Sequence, residues 1–436
     1  MGKVHSVGNN GRHAGSVRAS WPAHRLALLT LAVSAMLAHA APSPILAAGQ
    51  PVDWWFAFKF NAQTFPGCGQ AAAVNTCAFG GTLQAPLQAP SSGYSQQYVY
   101  ASSANAVLQQ GSNCLGTTPT DPVGATFGQV YQGSSYYVVW NDQFYSAPDV
   151  AHCGKSCSAP WGHSKGLLAW DDTGNGLVMQ VSTPSWPAAA SQASPRSGDG
   201  NTLGCIASTD NIMVSQHFFA LRLNRADVRS ILLAMQTASV VTDPTNPQIV
   251  RNGGPQEIQD LVSQLGTKSQ ARTVTSVPLS TGVRIIAKPA RLQVPPWQLV
   301  STELQSAALK VASWWEADKP SQVIPSTDGS TAPACWDSSL AKPGPVINVL
   351  AGLWGGTPFS LTGGLGKNHN HAKLGISTSG DRPYAIFGDM NQEGTLAGKC
   401  GASQNGRGGM FFVVEDAALN RSLGELIGGA VSPPTN

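Results

Sequence analysis

The tripeptide His-x-Lys occurs twice, as His163-Ser164-Lys165 and His371-Ala372-Lys373, once in each half of the 436-residue chain. Each copy opens the same local layout, and this duplication constrains the fold more than any other feature. After His163 come an apolar run, Gly166-Leu167-Leu168-Ala169-Trp170, the turn-rich Asp171-Asp172-Thr173-Gly174-Asn175-Gly176, and a second apolar run from Leu177 to Val181 that ends at Ser182. After His371 come Leu374-Gly375-Ile376-Ser377, a turn from Thr378 to Pro383, and Tyr384-Ala385-Ile386-Phe387 leading into Gly388-Asp389-Met390-Asn391. Short apolar runs around Gly-, Asn- and Asp-rich turns read as β-hairpins. A polar residue, Ser182 or Asn391, closes each hairpin near where its His-x-Lys begins. Two such halves packed about a pseudo-twofold axis would bring both motifs into one centre.

The residue types point to phosphodiester chemistry. One imidazole attacks phosphorus, the other gives the leaving oxygen a proton, and the lysines hold the non-bridging oxygens in place of a divalent cation. So short a tripeptide carries little without structural context, which the matched hairpins supply. No cofactor is expected. His369-Asn370-His371 and the isolated Cys153-x3-Cys157 lack further residues at ligand spacing, so no metal site is expected either.

Residues 1–40 carry Lys3, Arg12, Arg18 and Arg25 and no acid, then the apolar stretch Leu26 to Leu37 and Ala38-His39-Ala40. This reads as a secretory signal, with a second possible cleavage site after Ala48. No later stretch approaches the roughly 20 apolar residues of a membrane span, so an exported protein without a membrane anchor, secreted or periplasmic, is expected. Removing four cations from 26 basic and 23 acidic residues leaves 22 against 23, a net charge of −1 with neutral histidines. No run of Lys or Arg exists to hold nucleic acid at long range, so a polyanion must be gripped locally. The five remaining histidines make an acidic working pH plausible.

All eight cysteines lie beyond residue 40, and an even count in an exported chain implies up to four disulfides. Local closure of Cys68 with Cys77 and of Cys153 with Cys157 is expected. The length beyond the signal exceeds what one core usually serves, so two halves are expected, 49–240 and 241–436. Pro-, Ser- and Gly-rich stretches at 187–203, 241–256 and 319–334 read as loops, as does Thr82 to Gln110. Helices are expected over His217–Gln236, Pro255–Leu265, Thr302–Ala317 and Asp416–Ile427. Besides the hairpins, strands are expected over Val52–Phe60, Tyr136–Trp140 and Val283–Ala287. This mixture indicates layered α/β or α+β architecture.

Several longer words in the chain resemble the deoxyribonuclease II family. They are Gly49-Gln50-Pro51-Val52-Asp53-Trp54-Trp55, Trp140-Asn141-Asp142-Gln143, Gly162-His163-Ser164-Lys165-Gly166, Ser182-Thr183-Pro184-Ser185-Trp186-Pro187, Leu203-Gly204-Cys205-Ile206, His371-Ala372-Lys373, and Gly388-Asp389-Met390-Asn391 with Arg407-Gly408-Gly409. They follow the family's order and span residues 49–409; the low-complexity inserts and signal resemble bacterial members. The resemblance implies a phospholipase D-like fold of two similar mixed-sheet α/β halves about a pseudo-twofold axis. It also implies metal-independent endonucleolytic cleavage of DNA at acidic pH, giving 3′-phosphate and 5′-hydroxyl ends through a phosphohistidine. His163, Lys165, His371, Lys373 and Asn391 then form the catalytic set, with His163 as nucleophile and His371 as acid. Ser182, Asp389, Arg407 and Asp53 are candidate substrate contacts. The same dyad could serve another phosphodiester, such as a phospholipid; a catalytically idle, secreted DNA-binding protein is the non-enzymatic reading, against which both intact motifs argue.

The chain also departs from the family pattern. Val181 stands where animal members often carry His, Asp171 falls one position late for the phospholipase D pattern and receives no role, and the early family cysteine is absent, so Cys205 needs another partner.

Overall fold

In the computed structural model the described residues are 41–69, 76–82, 93–196, 200–206, 212–316, 323–379 and 382–434; the expected signal peptide lies outside them. Residues 54–251 supply strands β1 (Trp54–Lys59), β2 (Tyr98–Ser102), β3 (Asn105–Gln110), β4 (Tyr136–Asn141), β5 (Lys165–Trp170), β6 (Gly176–Val181), β7 (Gln216–Leu223) and β8 (Val250–Arg251). They form an eight-stranded sheet in the order β3-β2-β1-β7-β6-β5-β4-β8. After it come β9 (Thr275–Pro278), β10 (Arg284–Lys288), β11 (Leu309–Ala312), β12 (Val346–Asn348), the small hairpin β13 (Ala351–Trp354) and β14 (Thr357–Ser360), β15 (Leu374–Ser377), β16 (Tyr384–Gly388) and β17 (Gly409–Glu415). Of these, seven form a second sheet in the order β12-β11-β15-β16-β17-β10-β9. Both expected hairpins form, with Gly166 opposite Gln180 and Leu374 opposite Phe387.

Read along the sheets, β4-β5-β6-β7-β1 in the first matches β11-β15-β16-β17-β10 in the second, all neighbours antiparallel. Helix α2 (Arg225–Ala238) follows β7 as α5 (Ala417–Leu426) follows β17. The edges differ, since β12 runs parallel to β11 whereas β8 runs antiparallel to β4.

Adjacent strand residues face opposite sides, and β7 and β17 use this in the same way. Phe219 and Phe412 point inward, where Phe219 stacks on Phe387 at 4.7 Å and Phe387 on Phe56 at 4.5 Å. The sheets therefore pack face to face over one continuous core. Phe218 and Phe411 point outward, Phe218 to Trp186 and helix α1 (Pro122–Tyr131), Phe411 to Trp297 on helix α4 (Pro296–Glu303). Helix α3 (Gln256–Ser263) packs on α2.

Three expected elements are corrected. Residues 217–223 are strand rather than helix: Phe218 and Leu221 fit a helical stripe, but β7 is buried on both faces and shows no alternation. The helix begins only at Arg225, where Asn224 and Asp227 form a reciprocal capping box. In place of a helix over Thr302–Ala317, α4 starts earlier at Pro296 and stops at Glu303; Gln305 and Ser306 turn the chain with positive φ, and Leu309 opens β11. The stretch Thr82–Gln110, expected as loop, contains β2 and β3.

The disulfides are Cys68–Cys114, Cys77–Cys205, Cys153–Cys157 and Cys335–Cys400. The expected Cys153–Cys157 closure forms, but Cys68 does not close with Cys77. Both lie in one cluster with Cys114 and Cys205 and pair with these instead, so Cys77 provides the partner that Cys205 needed. Because Cys77–Cys205 spans 128 residues, its loss is expected to destabilise the fold by about 4–5 kcal/mol in the chain-entropy account. Urea denaturation of the Cys77→Ala/Cys205→Ala variant measures this. Among the described residues no helix is long and apolar enough to cross a membrane.

Candidate active site

Both His-x-Lys motifs lie at the same end of the sandwich, where β5 and β15 begin. Each motif is held by the other half. The backbone N–H of His163 donates to Gly408 O at 2.8 Å, and that of His371 to Ser215 O at 2.8 Å; these carbonyls directly precede β17 and β7. The His163 ring donates from Nδ1 to Asp389 O (2.7 Å) and the His371 ring from Nδ1 to Ser182 O (2.8 Å), directly beyond β16 and β6. A carbonyl only accepts, so Nδ1 carries the hydrogen in each ring and Nε2 is the reactive nitrogen.

The lysines are buried in different company. Lys165 donates to Asp142 Oδ1 at 2.5 Å, and the other oxygen of this buried carboxylate takes Arg407 Nη2 at 2.9 Å. Burial alone would raise the pKa of Asp142, but Lys165, then His163 and Arg407, outweigh it and hold the carboxyl well below its ordinary range. Lys373 donates to His371 O (2.6 Å), and its backbone N–H to His217 Nδ1 (3.2 Å). Burial and the charge of Lys165 push the pKa of Lys373 well down. Both site histidines are driven well below their ordinary value, first by burial and then by their own motif lysines. His217, behind Lys373, is driven down by burial and by that lysine.

Asp389 behaves oppositely. Burial raises its carboxyl to about 7 against hydrogen bonding from Ser164 and Met410 N. Its Oδ1 and the Oε1 of Gln180 are both buried without a partner. Because the folded pKa is raised, the protonated form contributes stability that is complete below about pH 3.9 and lost as pH rises toward 7, at up to about 1.4 kcal/mol per unit. The Asp389→Asn variant, neutral throughout, is expected to lack this slope, as pH-dependent urea denaturation beside the parent would show.

A cavity of about 340 Å³ opens here, bordered by Asp142, His163, Trp314, Asn391, Glu393 and Arg407. Trp314 also meets the His371 ring edge-on at 5.8 Å, which sets this imidazole behind the cavity wall. Asn391 donates to Glu393 Oε2 at 3.2 Å, and burial raises the pKa of that carboxyl. Three buried cations, Lys165, Lys373 and Arg407, thus face one firmly ionised carboxylate, Asp142. Burial disfavours the ionised forms of Asp389 and Glu393, so the pocket is short of negative charge, a deficit that an anion can fill.

His163, Lys165, His371, Lys373, Asn391, Asp389, Ser182 and Arg407 are therefore brought together. Ser182 acts through its carbonyl, while its hydroxyl donates to Gln216 Oε1. Asp53 is not in this group. It lies at the opposite end of β1, half-exposed and paired with Arg222 at 2.5 Å, beside a separate cavity of about 670 Å³ that no motif residue lines. We place the chemistry in the smaller cavity because His163 lines it and Trp314, also in its wall, meets the His371 ring. Asp171 caps its hairpin turn by accepting from Thr173 N and Asn175 N. Among the described residues no group of three His, Cys, Asp or Glu side chains is placed to hold a metal ion, His369 included. The sequence assigns no role to Asp142, Glu393 or Trp314, of which only Asp142 falls within one of the family words.

Compared with known families, the chain matches deoxyribonuclease II over residues 82–429. It belongs to the deoxyribonuclease II family. As a member it is a deoxyribonuclease, a hydrolase whose substrate is DNA. No curated protein matches the chain. For a deoxyribonuclease II the charge deficit beside the paired imidazoles has a direct use, because each DNA phosphodiester carries one negative charge.

Proposed function

We propose that the protein is an exported acid endonuclease that cleaves DNA without a metal through a phosphohistidine, its site lying on a pseudo-twofold axis between two phospholipase D-like halves. The observation that carries this reading is the reciprocal mounting of the histidines, each aimed by a carbonyl of the other half, beside three buried cations and one firm anion. His163 Nε2 attacks phosphorus and the P–O5′ bond breaks, while the His371 imidazolium gives its proton to the departing oxygen. The neutral His371 then takes a proton from water as the water oxygen attacks phosphorus and the P–N bond breaks, leaving a 3′-phosphate. Lys165 and Lys373 neutralise the non-bridging oxygens, the task a divalent cation otherwise performs, and Asn391 can donate to one of them. Four disulfides suit an oxidising compartment.

A DNA zymogram at about pH 5 in excess EDTA tests the reading, since an acid imidazolium must form under these conditions. Degradation is expected there and lost in His163→Ala and in His371→Ala. Activity that requires an added divalent cation would overturn the metal-free mechanism.

A further inference from the structure

A second cavity, of about 360 Å³, adjoins the first, with Ala159 in the wall of both. Its lining includes Pro160, Lys268, Arg291 and Gln293 and contains no acid. Lys268 and Arg291 are exposed, and neither pairs with a carboxylate among the described residues. The Lys268 ammonium sits 5.3 Å from the centre of the Trp161 ring, which fixes its position. Trp161 is tied to the site, since its carbonyl accepts from Arg407 Nε at 3.0 Å and His163 follows two residues later. Ala159 and His163 are four residue steps apart, at most about 14 Å of extended chain, or about four base steps of one DNA strand. We propose that this cavity is a phosphate subsite, in which Lys268 and Arg291 hold a phosphodiester flanking the scissile one on the same DNA strand. The inference rests on the deoxyribonuclease reading and supplies the local grip that the near-neutral net charge requires.

The test compares the Lys268→Glu/Arg291→Glu variant with the parent on a 20-mer DNA and on bis(p-nitrophenyl) phosphate, a diester too small to span both cavities. The ratio of kcat/KM on DNA to that on the small diester is expected to fall about 10-fold or more, carried by KM. The salt dependence should become shallower by up to about 0.9 for each phosphate the variant no longer neutralises. An unchanged ratio, whether both activities fall or neither does, overturns the subsite. Fluorescence anisotropy of the labelled 20-mer, in the His371→Ala background, reads the subsite without turnover. If the parent cleaves no DNA the nuclease reading fails, whereas unweakened binding of the 20-mer by the charge-reversed protein defeats the subsite alone.

Different residues carry a second inference. Lys59 and Lys288, fully buried, end β1 and β10 opposite the first residues of β7 and β17. Lys59 Nζ donates to Val214 O (2.6 Å), Phe60 O and Ile212 O; Lys288 Nζ donates to Asn405 O and Arg407 O (both 2.8 Å) and to Pro289 O. The next carbonyls along, Ser215 O and Gly408 O, are those that hold His371 and His163. We infer that these lysines are positioning residues, each fixing the segment that mounts the opposite half's histidine. In Lys288→Met the NMR titration of His163 Nε2 is expected to shift while that of His371 does not, and in Lys59→Met the reverse; kcat should fall about 10-fold with KM nearly unchanged. Equal movement of both histidines, or of neither, overturns the assignment. Lys288→Gln and Lys59→Gln, which retain two donors, keep the test open where methionine prevents folding.

Discussion

Alanine at either site histidine is expected to reduce DNA cleavage by at least about 10³-fold, because each loses a group that transfers a proton or bonds to phosphorus. The two losses separate on a substrate whose leaving group departs without a proton. On bis(p-nitrophenyl) phosphate, His371→Ala should still release one equivalent of p-nitrophenol in a burst and retain label on His163, whereas His163→Ala should release none. The opposite pattern would make His371 the nucleophile. The parent's pH profile follows from the same groups. Burial and the motif lysines hold both imidazoles well below 6.5, so the acid form of His371 accumulates only as pH falls below that value, and kcat/KM should rise there. Stability moves the other way. A base whose folded pKa is depressed binds protons preferentially when unfolded, so stability attributable to these histidines falls as pH drops from 6.5 toward their folded values. Asp389, raised to about 7, opposes this by stabilising the fold as pH falls.

The hairpins were legible because each is a local unit, with apolar runs and turn residues adjacent in sequence. So was the alignment of the His-x-Lys motifs with strand starts. What holds the motifs was not legible, because backbone carbonyls have no sequence signature: Ser182 and Asp389 matter here through atoms that every residue carries. Strand β7 reads as a helix for a related reason. A strand buried on both faces loses the alternation that distinguishes it, and Phe218 and Leu221 then fit a helix equally well. Cys68 and Cys77 show the limit for long-range pairing, since proximity along the chain suggested a closure that sheet packing replaced with partners 46 and 128 residues away.

The Asp142→Asn variant should lose about 3–5 kcal/mol of folding stability, the cost of removing one partner from a buried ionic cluster. The carboxylate is wholly buried between Lys165 and Arg407, and Trp140, two residues earlier, crosses Gly166 so closely that an added Cβ would meet its ring at 2.4 Å. The cluster therefore has little room to relax around a neutral amide. In the variant Lys165 loses the charge that counters its burial, which further favours the neutral amine and removes a cation from the phosphate site. Cleavage should consequently fall with stability, by about 10²-fold or more for an electrostatic contact of this kind. The pH dependence distinguishes this from general unfolding. A carboxyl depressed in the folded state contributes stability fully above its unfolded value of about 3.9, and loses it only as pH falls through the lower folded value. The carboxyl itself thus adds no change in the parent–variant difference in urea denaturation between pH 5 and pH 7, and any change there reports the depressed Lys165 and His163. A difference below about 1 kcal/mol at both, the range of an exposed ion pair, would show that Asp142 does not hold the two cations in solution.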